Sequence, residues 1–259
     1  MKNPLRPRLA AGDTTFGVWI TLEDPSVTEL VCTLGIDWIL VDMEHGSLDH
    51  KDLVAHARAA KGHGVAVLTR IPALSMENVK RALDLGIDGV MIPYVKSALE
   101  VEQAFRFARF PPLGERGIGG ERAVHWGLRM QDYLAIADQE TLIIPLIETR
   151  AASEDFEAIA KVAGLEAIFF GPADFSASCG HTGQWEGPGV GEDILRIRDI
   201  AAASGIASGI IGRDDQDQKA RIAQGFQMIG LGTDIGFIAQ GVKKLMSVHR
   251  KIRYDHRGF

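Results

Sequence analysis

The chain has 259 residues, 46% hydrophobic and 24% charged, with a net charge of −6. That length can bury a sizeable core without disulfide or metal staples, and the mild acidity excludes bulk attraction to nucleic acid or an anionic membrane. No apolar run approaches the ~20 residues of a membrane span; Cys32 and Cys179 fit no disulfide or metal spacing, and the basic segment before Ala11 has no apolar core, so a reducing, cytoplasmic compartment without a secretory signal is expected.

In chain order, an apolar burst at 16–20 predicts a first strand and 26–34 a helix. A second strand lies in 34–41, followed by a helix over 49–62, a third strand at 65–68 and a helix over 76–85. The fourth strand lies in 85–92 and its helix covers 98–109. Residues 110–127 then break the rhythm: they are rich in Gly and Pro, too long for an ordinary connection, and read as a lid-like loop. The pattern resumes with strands at 142–147, in 163–170, at 207–211 and in 224–231, and with helices over 150–163, 191–203, 215–224 and about 235–251.

Four of the strand segments share one grammar: a glycine, an acidic or polar position, then an apolar run. They are Gly35-Ile36-Asp37-Trp38, Gly86-Ile87-Asp88-Gly89, Gly164-Leu165-Glu166-Ala167 and Gly225-Phe226-Gln227-Met228. Each glycine is expected to close the preceding helix in a left-handed conformation, and each following run reads as a strand buried on both faces, as parallel strands are. Eight alternating β and α units in one chain of this length predict a single-domain α/β protein over residues 1–259, a (β/α)8 TIM barrel. A doubly wound open sheet is the alternative, but no G-x-G-x-x-G follows the first strand.

A barrel places its chemistry at the C-terminal ends of its strands. Glu148 and Asp174 end the fifth and sixth strands, one βα repeat apart. Two such carboxylates without Cys or paired His ligands suit a hard divalent ion, Mg²⁺, Mn²⁺ or Co²⁺; alternatively, Glu148 pairs with Arg150 and Asp174 caps the next turn. His45 follows Asp42 and Glu44 at the exit of the second strand. It suits a general base, or else packs in its loop. Arg70 offers a planar fork of donors to a substrate carboxylate or a developing enolate, or else pairs with Glu44. Asp42 is read as a partner of a Thr or a backbone amide. Trp19 stands near the end of the first strand, and in Gly171-Pro172-Ala173-Asp174 the small side chains let backbone amides approach a ligand.

Three segments together resemble the HpcH/HpaI aldolase family of metal-dependent (class II) pyruvate aldolases: Asp37-Trp38-Ile39-Leu40-Val41-Asp42-Met43-Glu44-His45, Leu146-Ile147-Glu148-Thr149-Arg150, and Phe170-Gly171-Pro172-Ala173-Asp174-Phe175-Ser176-Ala177-Ser178. Gly17-Val18-Trp19, Arg70-Ile71-Pro72 and the loop at 110–117 also match, so the likeness runs from about residue 15 to 240. It implies a barrel assembled as a homo-hexamer, a trimer of dimers, with the last helix exchanged between subunits. It implies reversible cleavage of a 4-hydroxy-2-oxoacid to pyruvate, or hydroxypyruvate, and an aldehyde. The resemblance makes Glu148 and Asp174 the metal ligands, His45 the base and Arg70 the enolate-stabilising residue. It gives Asp84 the part of raising the basicity of a histidine across a subunit contact, and Ala173 a backbone contact to substrate. One position departs from the pattern: Leu146 stands where members carry a glutamine that touches substrate, so the substrate range is expected to differ.

Two rival readings stand beside this one. Lys96, close to the end of the fourth strand, would serve a Schiff-base aldolase of the same substrate class. A barrel that binds an oxoacid without turning it over is the other. The aldehyde is not named by the sequence; Arg116, Arg122, His125 and Arg129 would favour an acidic or sugar-acid tail if they are not simply solvated.

Overall fold

The computed structural model describes residues 2–249. In them eight parallel strands close into a barrel in sequence order: β1 Thr15–Ile20, β2 Trp38–Asp42, β3 Ala66–Arg70, β4 Gly89–Ile92, β5 Leu142–Ile147, β6 Ala167–Phe170, β7 Ala207–Ile211 and β8 Met228–Thr233, which pairs back onto β1. Around them lie α1 Arg6–Ala10, α2 Pro25–Thr33, α3 His50–Ala59, α4 Met76–Asp84, α5 Ala98–Ala108, α6 Met130–Leu134, α7 Ala137–Glu140, α8 Arg150–Glu154, α9 Phe156–Ile159, α10 Pro172–Ser178, α11 Val190–Ala203, α12 Asp215–Ala223 and α13 Asp234–His249. The last positions of the helix expected over 235–251, Arg250 and Lys251, lie outside the described residues.

The shared grammar of the four segments has a physical meaning. Gly35, Gly86 and Gly225 follow the last turns of α2, α4 and α12 with φ of 83°, 70° and 93°, the left-handed region where a Cβ is penalised. Gly164, at 90°, turns the chain after α9. The acidic position two residues later ties strands together at their N-terminal ends. Asp37 Oδ2 accepts the Phe16 amide at 2.7 Å, and Asp88 Oδ2 accepts the Val67 amide at 2.8 Å.

Two apolar regions result. Val18, Ile39, Val41, Val67, Val90 and Ile143 face outward and pack under the helices. Trp19, Trp38, Leu40, Leu68, Met91, Ile144, Leu146 and Phe169 fill the barrel itself. Trp19, Trp38 and Phe169 meet with ring centroids 5.0–6.0 Å apart at steep angles. Room for these rings comes from glycine: a Cβ at Gly17 would lie within the Trp38 ring, and one at Gly209 within Phe169. No pattern in the sequence announces α1, a short helix whose Leu9, with Leu5 at its N-cap, joins the interior cluster as a plug. Asn3 fixes it by donating to the carbonyls of Asp88 and Glu140 at 2.8 and 2.9 Å, and Arg6 and Arg8 pair with Glu166 and Asp37.

Two expectations are modified. The helix expected over 150–163 is two short helices, α8 and α9, broken at Asp155, whose Oδ2 accepts the Ala98 amide at the start of α5 at 2.7 Å. Residues 110–127 do not lie over the mouth of their own barrel. They follow the end of α5 and open the connection that runs through α6 and α7 to the start of β5, which puts them at the opposite end. There Arg116 meets Asp84, Gly117 lies near Lys80, and Arg122 donates to the carbonyls of Leu85 and Gly86. The final helix, α13, is present over the expected range as far as His249. Only Asp234 is buried on it, while Ile235, Phe237, Ile238, Val242, Leu245 and Val248 are exposed, so it leaves the barrel as an amphipathic helix with an open apolar face.

Because Trp38 is fully enclosed, it has nowhere to go when its neighbour grows. Gly17→Ala is expected to lower stability by about 3 kcal/mol through overpacking, measured as a shifted denaturant midpoint with an unchanged slope.

Candidate active site

The exits of β2 and β3 form one ion-pair system. The register sets Asp42 beside Arg70, and Arg70 donates to both carboxylate oxygens of Asp42, from Nε at 2.9 Å and from Nη2. Its Nε also lies 3.1 Å from Glu44 Oε2. Arg70 is therefore paired chiefly with Asp42, which was expected to hold a Thr or a backbone amide. Asp42 does also accept the amides of Glu44 and His45, at 3.1 and 3.4 Å. Burial works against the charge of Arg70, but the hydrogen bonds and charge of Asp42, with Glu44 and Glu148, outweigh it and hold the guanidinium above its usual pKa. Burial likewise raises Glu44, opposed by Arg70.

Glu148, at the β5 exit, is 1% exposed. Its Oε1 accepts the Tyr94 amide at 2.6 Å, and its Oε2 is buried without a hydrogen-bond partner. Gly171 makes this placement possible, since a Cβ there would come within 2.5 Å of Oε2. Burial, with Glu44 and Asp174 nearby, pushes the Glu148 carboxyl up to about 8. Asp174 lies in the first turn of α10, and the Tyr94 hydroxyl donates to its Oδ1 at 3.4 Å. The alternatives for these acids are not what the structure holds: Arg150 pairs with Glu154 at 3.0 Å rather than with Glu148. Tyr94 escaped the sequence reading, although it stands at the β4 exit, where the strand-end rule would have found it. Its φ of 52° is left-handed, a conformation that costs a side chain about 1 kcal/mol or more.

Among the described residues no group of three or more His, Cys, Asp or Glu side chains has the spacing of a complete metal cage. A hard divalent ion that keeps waters or substrate oxygens needs only one or two protein carboxylates. The unpartnered, buried Oε2 of Glu148 with Asp174 close by is a donor set of that kind, all oxygen, so the residues present fit such an ion.

His45 is exposed at the mouth, its Nε2 3.8 Å from Glu44 Oε2. Trp19 and Leu146 are buried in the barrel interior, giving the mouth an apolar floor. Gly171 begins α10, Pro172 is its buried first residue, and the exposed Ala173 uses its carbonyl to accept the Ser176 hydroxyl. Asp84 is not brought to this group; it lies at the far end of α4, its Oδ1 accepting from Arg116 at 2.9 Å. Lys96 is exposed, on the turn before α5. Of the loop cations, Arg116 is buried between Phe110 and Tyr133, Arg122 holds backbone carbonyls, and Arg129 pairs with Asp132, so none stands free at this mouth.

Residues 15–240 match the family described as HpcH/HpaI aldolase/citrate lyase. The chain belongs to this family. A 5-keto-4-deoxy-D-glucarate aldolase of Shigella dysenteriae serotype 1 is 32% identical to it over 249 residues, covering 96% of this chain and 97% of the relative. The crystal structure of an HpcH/HpaI aldolase/citrate lyase family protein from Burkholderia cenocepacia superposes with a TM-score of 0.92 at 31% identity, over 96% of this chain and 100% of that one. The HpcH/HpaI aldolase from Desulfitobacterium hafniense superposes with a TM-score of 0.85 at 32% identity, over 93% and 96% of the two chains. The family's barrel is thus the one seen here.

In the metal-free protein Glu148 has a folded pKa of about 8 against an ordinary 4.5. The fold therefore keeps a proton that the unfolded chain has lost, so its contribution to stability is complete below pH 4.5 and is lost as the pH rises through about 8. Glu148→Gln keeps the acceptor for Tyr94 and removes the charge. In EDTA it is expected to melt roughly 5 °C or more above wild type at pH 9, with the gap closing towards pH 4.5. Parallel melting curves across that range would count against a desolvated Glu148.

Proposed function

We propose that the protein is a divalent-metal-dependent aldolase that reversibly cleaves a 4-hydroxy-2-oxoacid to pyruvate, or hydroxypyruvate, and an aldehyde. The observation that carries the reading is the buried, unpartnered Oε2 of Glu148 beside Asp174, at a mouth that Arg70 and His45 share, in a chain of an aldolase family. Numbered from its keto end, a 5-keto-4-deoxyhexarate is a 4-hydroxy-2-oxo diacid, so the names of the relatives point to a sugar-acid substrate of the same class.

Glu148 and Asp174 would hold Mg²⁺, Mn²⁺ or Co²⁺, which supplies Lewis-acid polarisation of the 2-oxo group. His45 takes the proton of the 4-hydroxyl. As the C3–C4 bond breaks, its electron pair passes to the oxoacid fragment as an enolate, and C4 leaves as an aldehyde. Arg70, held in plane by Asp42, faces the negative charge of that enolate. Protonation at C3 then gives the free oxoacid. In reverse, the enolate carbon attacks the aldehyde and His45 returns the proton. Trp19 and Leu146 present an apolar wall, while the backbone of Gly171, Pro172 and Ala173 borders the oxoacid. With Leu146 in place of a glutamine, the donor side of the site lacks one polar contact.

The test is pyruvate release from a panel of 4-hydroxy-2-oxoacids that includes 5-keto-4-deoxy-D-glucarate. EDTA should abolish turnover and added Mn²⁺ restore it. His45→Ala is expected to lose at least about 100-fold in kcat while still binding the metal; wild-type turnover in that variant would sink the base assignment. Pyruvate trapped on Lys96 by borohydride would replace the metal reading with a Schiff-base one.

The same reading includes a homo-hexamer, a trimer of dimers. In it the open apolar face of α13 packs on a neighbouring subunit, residues 110–127 reach a neighbour's mouth, and Asp84, steadied by Arg116, acts on a histidine there. Light scattering should give about six times 28.1 kDa. Ile238→Asp with Leu245→Asp should lower that mass. A hexamer that survives both charges would remove α13 from the contact.

A further inference from the structure

Tyr94 connects the two carboxylates from just past the end of β4, a strand that contributes neither. Its main chain serves Glu148 and its side chain serves Asp174: the amide donates to Glu148 Oε1 at 2.6 Å, and the phenol donates to Asp174 Oδ1 at 3.4 Å. β4 neighbours β5, not β6, so reaching both acids requires the chain to change direction at this residue. The left-handed φ of 52° supplies the change, with Pro93 before it. A second bond fixes the turn, since Thr149, next to Glu148, donates its hydroxyl to the Val95 carbonyl at 2.8 Å. Tyr94 is itself half exposed, at 49%, so little packing rewards the strained conformation. Its gain is polar and lies in the two carboxylates.

We propose that Tyr94 is the positioning residue of the Glu148–Asp174 pair, setting the affinity of the site for a divalent cation without being a ligand. The amide occupies one oxygen of Glu148 and leaves Oε2 free; the phenol restrains Asp174, which has no other hydrogen bond among those described for its side chain. Groups that orient ligating carboxylates in this way govern metal affinity although they never touch the ion. The inference rests on the metal reading above and adds to it a residue that the strand-end acids alone would not suggest.

The experiment titrates wild type, Tyr94→Phe and Tyr94→Gly with Mn²⁺, following free Mn²⁺ by electron paramagnetic resonance and heat by calorimetry, with no substrate present. Tyr94→Phe removes only the hydroxyl. It should bind Mn²⁺ about three- to tenfold more weakly while its metal-free melting temperature stays at the wild-type value. Tyr94→Gly keeps the amide in a conformation glycine adopts freely and removes the ring; it should lose at least as much affinity. A Tyr94→Phe affinity within twofold of wild type would overturn the proposal. So would a loss of affinity that tracks a loss of metal-free stability, because the role would then be structural. Absence of Mn²⁺ binding by wild type would instead refute the metal reading and this inference with it, whereas a binding, aldolase-active wild type with an indifferent Tyr94→Phe would refute the inference alone.

Discussion

Four carboxylates, Asp42, Glu44, Glu148 and Asp174, act on one another around a single guanidinium, Arg70. Removing so many like charges from water is unfavourable unless cations or protons compensate. The rest of the site is an answer to that constraint. Asp42 takes the fork of Arg70, Glu44 takes the remaining reach of Nε, and Glu148 is left with one backbone amide and a raised affinity for a proton. A divalent ion would relieve the same charge excess that the proton relieves. The acidity of the whole chain has no part in this, because the attraction that matters for an anionic substrate is local.

Much of this was legible in the sequence because barrels repeat. The glycine and the acidic or polar position after it announced four of the eight units, and the glycines do hold the left-handed angles their position requires. Glu148, Asp174, Arg70 and His45 were visible since strand ends are where a barrel exposes polar groups to its mouth. What escaped was information carried between elements rather than along them. The choice of Asp42 over Glu44 as the main partner of Arg70 depends on the β2–β3 register. The break at Asp155 comes from a bond to α5, and Tyr94 matters through a backbone angle that an aromatic side chain does not advertise.

Residues 110–127 show a simpler point about placement. Their composition suggests a lid, but a connection that leads from a helix to the next strand, as the one from α5 to β5 does, emerges at the end of its own barrel away from the strand exits. The parity of the connection decided the side, and composition did not. The cations of that segment accordingly bind helix ends and aromatic rings of their own chain. The two ends of the barrel thus divide the work, with the plug and its structural ion pairs at one and the candidate site at the other, as is usual for the fold.

The plug and the closing strand have a consequence for biosynthesis. Thr15 in β1 donates through both its amide and its hydroxyl to the Gln227 carbonyl, and the Gln227 side chain donates to the Leu9 carbonyl of the plug. The first strand therefore waits for a partner more than 200 residues downstream. At ordinary translation rates that is roughly ten seconds or more during which β1 has an unpaired edge and α1 has no barrel to fill. Closure is a late, long-range event of the kind that slows folding, so a ribosome stalled before β8 would present an open sheet whose edges could pair with other chains.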